Sequence, residues 1–290
     1  MIRGLVYALI SATAFGSMAI MVKLGYEASM TGPVMMQSRF TLGVLALLLI
    51  LLVKDRTLLR ISPRNLGKCA FLGLVVYWSQ TTCFVAALET IPASTTALIL
   101  YGHPIAVALL SAYFLDMKLD RPVVVSLVLV MAGCCLVFYD AFLREADGTG
   151  LLYALGAMAV FSLYLILVQV LLKGMRPLSA TFYVMLFAAV SFTLSGDVTA
   201  WSRLSADQAV IALALGLVPG VIAVTFLYAA IERIGSAFAC IFSSVEPVVT
   251  LWAAAIFLDE NVVMLQMVGA ALIILGIVVP NIRSRRPVRT

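Results

Sequence analysis

The sequence predicts an all-α polytopic membrane protein, with ten transmembrane helices arranged as two inverted five-helix repeats. Three observations predict it: the composition, the spacing of apolar runs, and an internal match at a constant offset of 143 residues. Of the 290 residues, 63% are hydrophobic and 11% charged, and the mean hydropathy is +1.12. A water-soluble domain carries about 25% charged residues. Lipid offers no partners to backbone N–H and C=O groups, so spanning segments are helices or a closed barrel. Barrel strands alternate apolar and polar residues, and runs such as "LGVLALLLILLV" do not.

Breaks between apolar runs place the spans at 3–24, 33–53, 66–88, 93–115, 121–139, 149–172, 178–196, 208–230, 236–258 and 262–281. Each holds roughly the 20 residues that cross a ~30 Å hydrocarbon layer. The first run follows Arg3 and continues to Leu24. That is longer than the ~7–15-residue core of a secretory signal, which predicts a retained helix. The five cysteines lie inside apolar segments without CxxC spacing, and there is one histidine. Packing is the expected role of the cysteines, and a histidine-based metal centre is not expected.

Charge predicts orientation. With the N-terminus in the cytoplasm, the inner side holds Arg3, Lys54, Arg56, Arg60, Arg64, Lys68, Lys118, Arg121, Lys173, Arg176, Arg233, Arg283, Arg285, Arg286 and Arg289. The outer loops hold Arg144 and Arg203, and Lys23 and Arg39 fall within spans. Such asymmetry is the positive-inside pattern, and an even helix count returns the C-terminus to the same side. The net charge of +5 is therefore read as membrane anchoring, above all in the basic cytoplasmic tail 282–290, and not as a nucleic-acid surface.

At an offset of 143, residues 73–116 fall on 216–259 without a gap. Gly73 meets Gly216, Thr82 meets Thr225, Glu89 meets Glu232, Ile91 meets Ile234, Pro104 meets Pro247, and "FLD" meets "FLD". Gly133 and Gly276 extend the match, and "GLVYALISATAF" (4–15) echoes "GLLYALGAMAVF" (150–161). Two five-helix units follow, 1–140 and 149–281. Five crossings are odd, so the second unit enters from the opposite side. Many secondary transporters are built this way, with substrate sites near mid-depth between the repeats.

The histidine, His103, precedes Pro104 in "LILYGHPIAVALL" and falls on Glu246, which precedes Pro247. Both pairs lie near the middle of their spans. Proline displaces the carbonyl four residues earlier, here Leu100 and Ser243. Freed backbone at that depth survives only against protein or a watery cavity, and ionisable side chains there face the bundle interior. His103 and Glu246 are thus predicted to bind substrate, to respond to protons, or both. The structural alternative has His103 bonded to a neighbouring helix and Glu246 protonated or paired with Arg39.

Tyr77, Gln80 and Thr81 share one helical face, which Gln80 turns away from lipid. Tyr101, Tyr164, Gln169, Ser243, Ser244 and Trp252 complete the polar and aromatic candidates; such side chains suit organic solutes with an apolar body and a few hydrogen-bonding groups. Trp252 serves equally as core packing. Arg39 either snorkels to the outer surface or binds an anion. Gly216 and Gly220 are spaced for close helix approach. Asp116 and Asp259 mark exits from the bilayer.

The doubled "A-L-E-x-I … P … F-L-D" pattern and the ten spans resemble the drug/metabolite transporter superfamily, in particular its EamA-type members. The resemblance covers nearly the whole chain, most clearly 66–139 and 208–280. It implies ten helices, both termini cytoplasmic in a bacterial inner membrane, a central cavity worked by alternating access, and transport of amino acids, other metabolites or toxic compounds. In many members the second copy reads Glu-Pro, as Glu246-Pro247 does; His103-Pro104 departs from the pattern and bears on coupling or selectivity.

The expected partners are a small organic solute and the bilayer, with proton or exchange coupling and oligomeric state left open. No cofactor is expected, since the phosphate-binding GxxxxGK[ST] loop is absent. An intramembrane enzyme is disfavoured by the absence of HExxH and of paired intramembrane aspartates. Multidrug efflux stays open beside metabolite export, and a passive channel or lipid-moving protein ranks lower for want of a selectivity motif.

Overall fold

The computed structural model describes residues 2–143, 147–195, 199, 203–257 and 261–283. The expected surface features at Arg144, Asp259, Arg285, Arg286 and Arg289 lie outside them. Among the described residues the regular structure is helical throughout: α1 (Ile2–Gly16), α2 (Met18–Glu27), α3 (Gly32–Lys54), α4 (Pro63–Ala70), α5 (Trp78–Thr90), α6 (Ala93–Leu100), α7 (His103–Phe114), α8 (Arg121–Val137), α9 (Gly148–Leu171), α10 (Pro177–Ser195), α11 (Ala206–Leu215), α12 (Ala223–Ser243), α13 (Glu246–Phe257) and α14 (Met264–Arg283). Seven helical stretches among the described residues are long and apolar enough to cross a bilayer, and 121–137, 246–257 and 264–279 are shorter apolar helices.

Several expected spans are more broken than their hydropathy suggested. The first pauses between α1 and α2, where the Ser17 hydroxyl donates to the Ala14 carbonyl at 2.8 Å. The fourth divides at Tyr101–Gly102 into α6 and α7. The expected eighth and ninth merge: α12 runs through Gly235, whose φ of 78° and ψ of 163° kink it, and the ninth then divides between Ser243 and Glu246. Only glycine tolerates that backbone without strain. The Gln169 side-chain oxygen accepts from the Ser236 amide at 2.6 Å, satisfying a donor that the kink releases. The segments 93–100 and 103–114 have counterparts at 236–243 and 246–257, again 143 residues on.

Two π-helical stretches, Phe71–Tyr77 and Gly216–Ile222, join α4 to α5 and α11 to α12. Each lies where a glycine admits a neighbouring backbone. A Cβ on Gly73 would collide with the Val184 carbonyl and approach Ala188 N to 3.0 Å, both on α10. A Cβ on Gly216 would lie 2.9 Å from Gly43 N and 3.1 Å from the Arg39 carbonyl, both on α3. Packing is thus the role of Gly216 in the Gly216–Gly220 spacing. Pro219, inside the second stretch, has no N–H to sustain the regular ladder.

Helix α1 packs along α12, α9 along α5, and α8 along α14. The α8–α14 seam is made of small residues. A Cβ on Gly133 would stand 2.6 Å from the Gly269 carbonyl and one on Gly276 3.0 Å from the Ser126 carbonyl, while the Ser126 hydroxyl donates to the Gly276 carbonyl at 2.6 Å. The main core runs through α3, α9, α10 and α12; a smaller cluster gathers Met30, Met35, Met36, Ala212 and Leu215. Large apolar side chains such as Val53, Leu49, Val128 and Leu152 stay exposed on the outside, as a lipid-facing surface requires.

Two loop carboxylates act as caps. The Thr57 hydroxyl and amide hold the Asp55 carboxyl below its ordinary value, helped by Arg176 at 3.3 Å. The amides of Gly150 and Thr149 do the same for Asp147 at the start of α9. Asp116 is exposed just past α7 in the left-handed region, with φ 52°.

Candidate functional site

The α6–α7 break explains the position of the histidine. Pro104 displaces the Leu100 carbonyl, and His103 Nδ1 lies 2.9 Å from that same oxygen. A carbonyl only accepts, so Nδ1 carries a proton and donates it to that oxygen. His103 is 7% exposed and meets Phe161 edge-on at 5.1 Å between ring centroids. The structural alternative, a bond to a neighbouring helix, is not what Nδ1 makes: its bond closes within its own broken helix, because the proline leaves an oxygen there to be satisfied.

At the α12–α13 break, the Ser244 hydroxyl donates to the Cys240 carbonyl at 3.0 Å. The Ser243 hydroxyl is buried without a hydrogen-bond partner. Glu246 is partly buried, and its carboxyl lies within electrostatic reach of both Tyr101 and Arg39. The two breaks are therefore neighbours: Tyr101, from the first, lies near the acid of the second.

Around them runs a continuous aromatic array. Phe192 stacks on Phe40 at 5.0 Å, Phe40 meets Tyr77 edge-on at 5.3 Å, and Tyr77 stacks on Tyr164 at 5.2 Å. Tyr164 faces Phe161, Phe161 faces His103, and Tyr101 lies between His103 and Phe138. The hydroxyls of Tyr164 and Tyr228 bond each other inside the bundle. Gln80 and Thr81 are buried together, with the Thr81 hydroxyl donating to Gln80 Oε1 at 3.3 Å.

His103, Tyr77, Tyr101 and Tyr164 thus share one array, which Glu246 adjoins near Tyr101. Trp252 does not enter the core: it is 48% exposed on α13. Gln169 serves the Gly235 kink. Phe40, Phe138, Phe161 and Tyr228 went unread in the sequence. Phe161 carried a usable signal, lying three residues before Tyr164 on the same helical face.

Arg39 requires a correction. It does not snorkel outward; it is 4% exposed. Its Nη2 donates to the Pro219 carbonyl at 2.9 Å, Nη1 points at Met18 Sδ at 3.2 Å, and the guanidinium lies 5.2 Å from the Phe40 ring centroid. The cause is the close approach of α3 to the 216–222 stretch, which presents a π-helical carbonyl inside the bundle.

A cavity of about 400 Å³ adjoins this array. Its wall includes Val168, Lys173, Tyr228, Ile231, Glu232 and Gly235. Lys173 and Glu232 are exposed and mark its mouth, while Tyr228 ties its buried wall to Tyr164 and so to the aromatic array. Among the described residues no group of three or more His, Cys, Asp or Glu side chains could hold a metal ion.

Apolar membrane-length helices, paired breaks and a buried polar-aromatic interior describe an integral membrane protein of the polytopic helical class. The EamA-like transporter family matches the chain twice, over residues 2–139 and 148–282, and the chain belongs to that family. It is a membrane transporter by family. The chain is 27% identical over 209 residues to the uncharacterized transporter YwfM of Bacillus subtilis (strain 168), covering 71% of this chain and 70% of that protein. A solved crystal structure superimposes with a TM-score of 0.79 over 98% of both chains at 17% identity, a likeness of fold alone.

Proposed function

We propose that the chain is a secondary transporter that exports small organic metabolites, such as amino acids or related compounds, by alternating access around a mid-depth site. In this reading ten helices form two inverted five-helix repeats, 1–140 and 149–281. Both termini are cytoplasmic, and the membrane is the bacterial inner membrane. His103, Glu246, Tyr77, Gln80, Thr81, Tyr101, Tyr164 and Ser243 contact the solute, and Pro104 and Pro247 break the helices that carry it. Trp252 joins them only if its exposed face lines the open path.

The observation that carries the reading is the pair of helix breaks. Each sits ahead of an ionisable residue and a proline, 143 residues apart, and the two are neighbours at Tyr101 and Glu246. Broken helices at mid-depth are where inverted-repeat carriers expose backbone to a solute. The aromatic array beside them supplies apolar walls with hydroxyl tips. The cavity mouth at Lys173 and Glu232 lies on the side that the positive-inside pattern assigns to the cytoplasm, which fits an inward-facing conformation.

The test is counterflow in proteoliposomes. Unlabelled solute on the far side should accelerate uptake of the labelled solute; a passive pore shows no such acceleration. His103 and Glu246 are the proposed coupling residues. If His103 couples protons, uptake driven by a pH gradient vanishes in His103→Ala while exchange persists.

A further inference from the structure

Arg39 is the buried cation that the solute reading leaves unused. It lies about 10 Å along α3 from the helix start at 1.5 Å per residue. A guanidinium offers five N–H donors in a planar fork and keeps its charge throughout the accessible pH range. Here one nitrogen is spent on the Pro219 carbonyl, one points at the weak acceptor Met18 Sδ, and Nε is buried with no hydrogen-bond partner. Among the described residues no carboxylate lies within 4 Å of it. Burying a charge without a close counter-charge is strongly unfavourable.

The nearest relevant acid is held apart from it. Glu246 lies within electrostatic reach of Arg39 but forms no ion pair with it among the described residues. Both groups converge on the α1–α2 junction: Met18 touches the Arg39 guanidinium, and Gly16 accepts from the Thr250 hydroxyl at 3.0 Å, one turn along α13 from Glu246. A buried fork on one helix and a carboxyl on another, kept apart, form two opposite poles beside an aromatic wall that includes Phe40.

We infer that Arg39 is the anchor for a carboxylate on the transported solute, with Glu246 the opposite pole that favours an ammonium on the same molecule. The inference rests on the transporter reading and narrows its substrate class to carboxylate-bearing solutes. The free Nε edge supplies what a carboxylate oxygen accepts, and the Phe40 ring holds the guanidinium plane in place.

The experiment compares matched solutes on the full-length protein in detergent and in proteoliposomes. The probes are L-phenylalanine with its amide, L-leucine with its amide, and 3-phenylpropionate with 3-phenylpropanamide. Apparent affinity is read from thermal stabilisation for the wild type, Arg39→Gln and Arg39→Lys. Wild type should favour the carboxylate of at least one pair by about tenfold or more, the usual scale of a charge-assisted bond. The ratio should fall to about one in Arg39→Gln and be partly restored in Arg39→Lys.

Because the ratio is taken within each variant, a lower folded yield does not alter it. If Arg39→Gln does not fold, a Lys variant with an undiminished ratio still overturns the inference. Equal affinity for acid and amide in the wild type, response to neither member of any pair, or an unchanged ratio in Arg39→Gln overturns it as well. Counterflow of solutes without carboxylate preference defeats only the Arg39 assignment. Carboxylate binding with no counterflow of any solute defeats the transporter reading instead.

Discussion

The two helix breaks solve the same steric problem with different chemistry. At Tyr101–Gly102, the residue before the proline repairs the damage: His103 donates to the Leu100 oxygen that Pro104 displaced. At Ser244–Val245, the residue before the proline is Glu246, which does not bond back to the Ser243 carbonyl as His103 does to Leu100. Its carboxyl lies near Tyr101 across the interface instead. One break is closed on itself and the other reaches out. The difference teaches that His103 spends one ring nitrogen on structure, whereas Glu246 makes no such bond within its own helix, which leaves its carboxyl available for the solute role proposed above.

Substitutions at the two sites should separate these roles. The largest effect is expected from Glu246→Gln: counterflow falls to background while the thermal unfolding midpoint in detergent stays close to wild type, since the amide keeps the size and polarity of the acid. Wild-type counterflow in this variant would remove the functional half of the comparison. Gly235→Val forces a side chain into a backbone region that glycine alone tolerates and should destabilise the fold by about 1–3 kcal/mol. Pro92→Ala, 143 residues earlier, is expected to shift the same midpoint much less, because Pro92 has ordinary φ and ψ of −56° and 144°.

His103→Ala leaves the Leu100 carbonyl without its donor and should destabilise by about 1 kcal/mol, alongside the loss of uptake driven by a pH gradient. A midpoint equal to wild type would show that the bond to Leu100 has no role in closing the break.

The smallest effect belongs to the loop acid Asp55. Its folded carboxyl titrates below its ordinary value, chiefly through Thr57, so its contribution is present above the unfolded value of about 3.9 and lost as pH falls through the folded one. A pH series of unfolding midpoints should therefore find wild type slightly above Asp55→Asn at neutral pH. The two curves should merge in acid, below about pH 4. A gap that instead widens as the pH falls below about 4 would contradict the sign.

The helical membrane class was legible because apolar length is a property of composition, and the family follows from the same doubled pattern. The placement of His103 was legible because Pro104 names the carbonyl it frees. The fate of Arg39 was not, since Pro219 and Gly216, which draw it inward, lie about 180 residues away along the chain. Trp252 could not be oriented because α13 is apolar on most faces, and its polar residues Glu246 and Thr250 do not by themselves fix where position 252 faces. The aromatic array was half visible: Tyr77 and Tyr164 announce themselves as polar-tipped residues, whereas Phe40 and Phe161 look like any core phenylalanine until their neighbours are known.

The glycine seam between α8 and α14 has a mechanical consequence. Backbone lies against backbone at Gly133, Gly269 and Gly276, and the side chains of Ile273, Leu136 and Val130 close tightly around those approaches. Lateral shear there would drive carbonyl into carbonyl, yet a slight roll about the common axis would keep every close approach intact. Under the alternating-access reading proposed above, rocking that opens one mouth and shuts the other would swing around this line, as a door does on its pin.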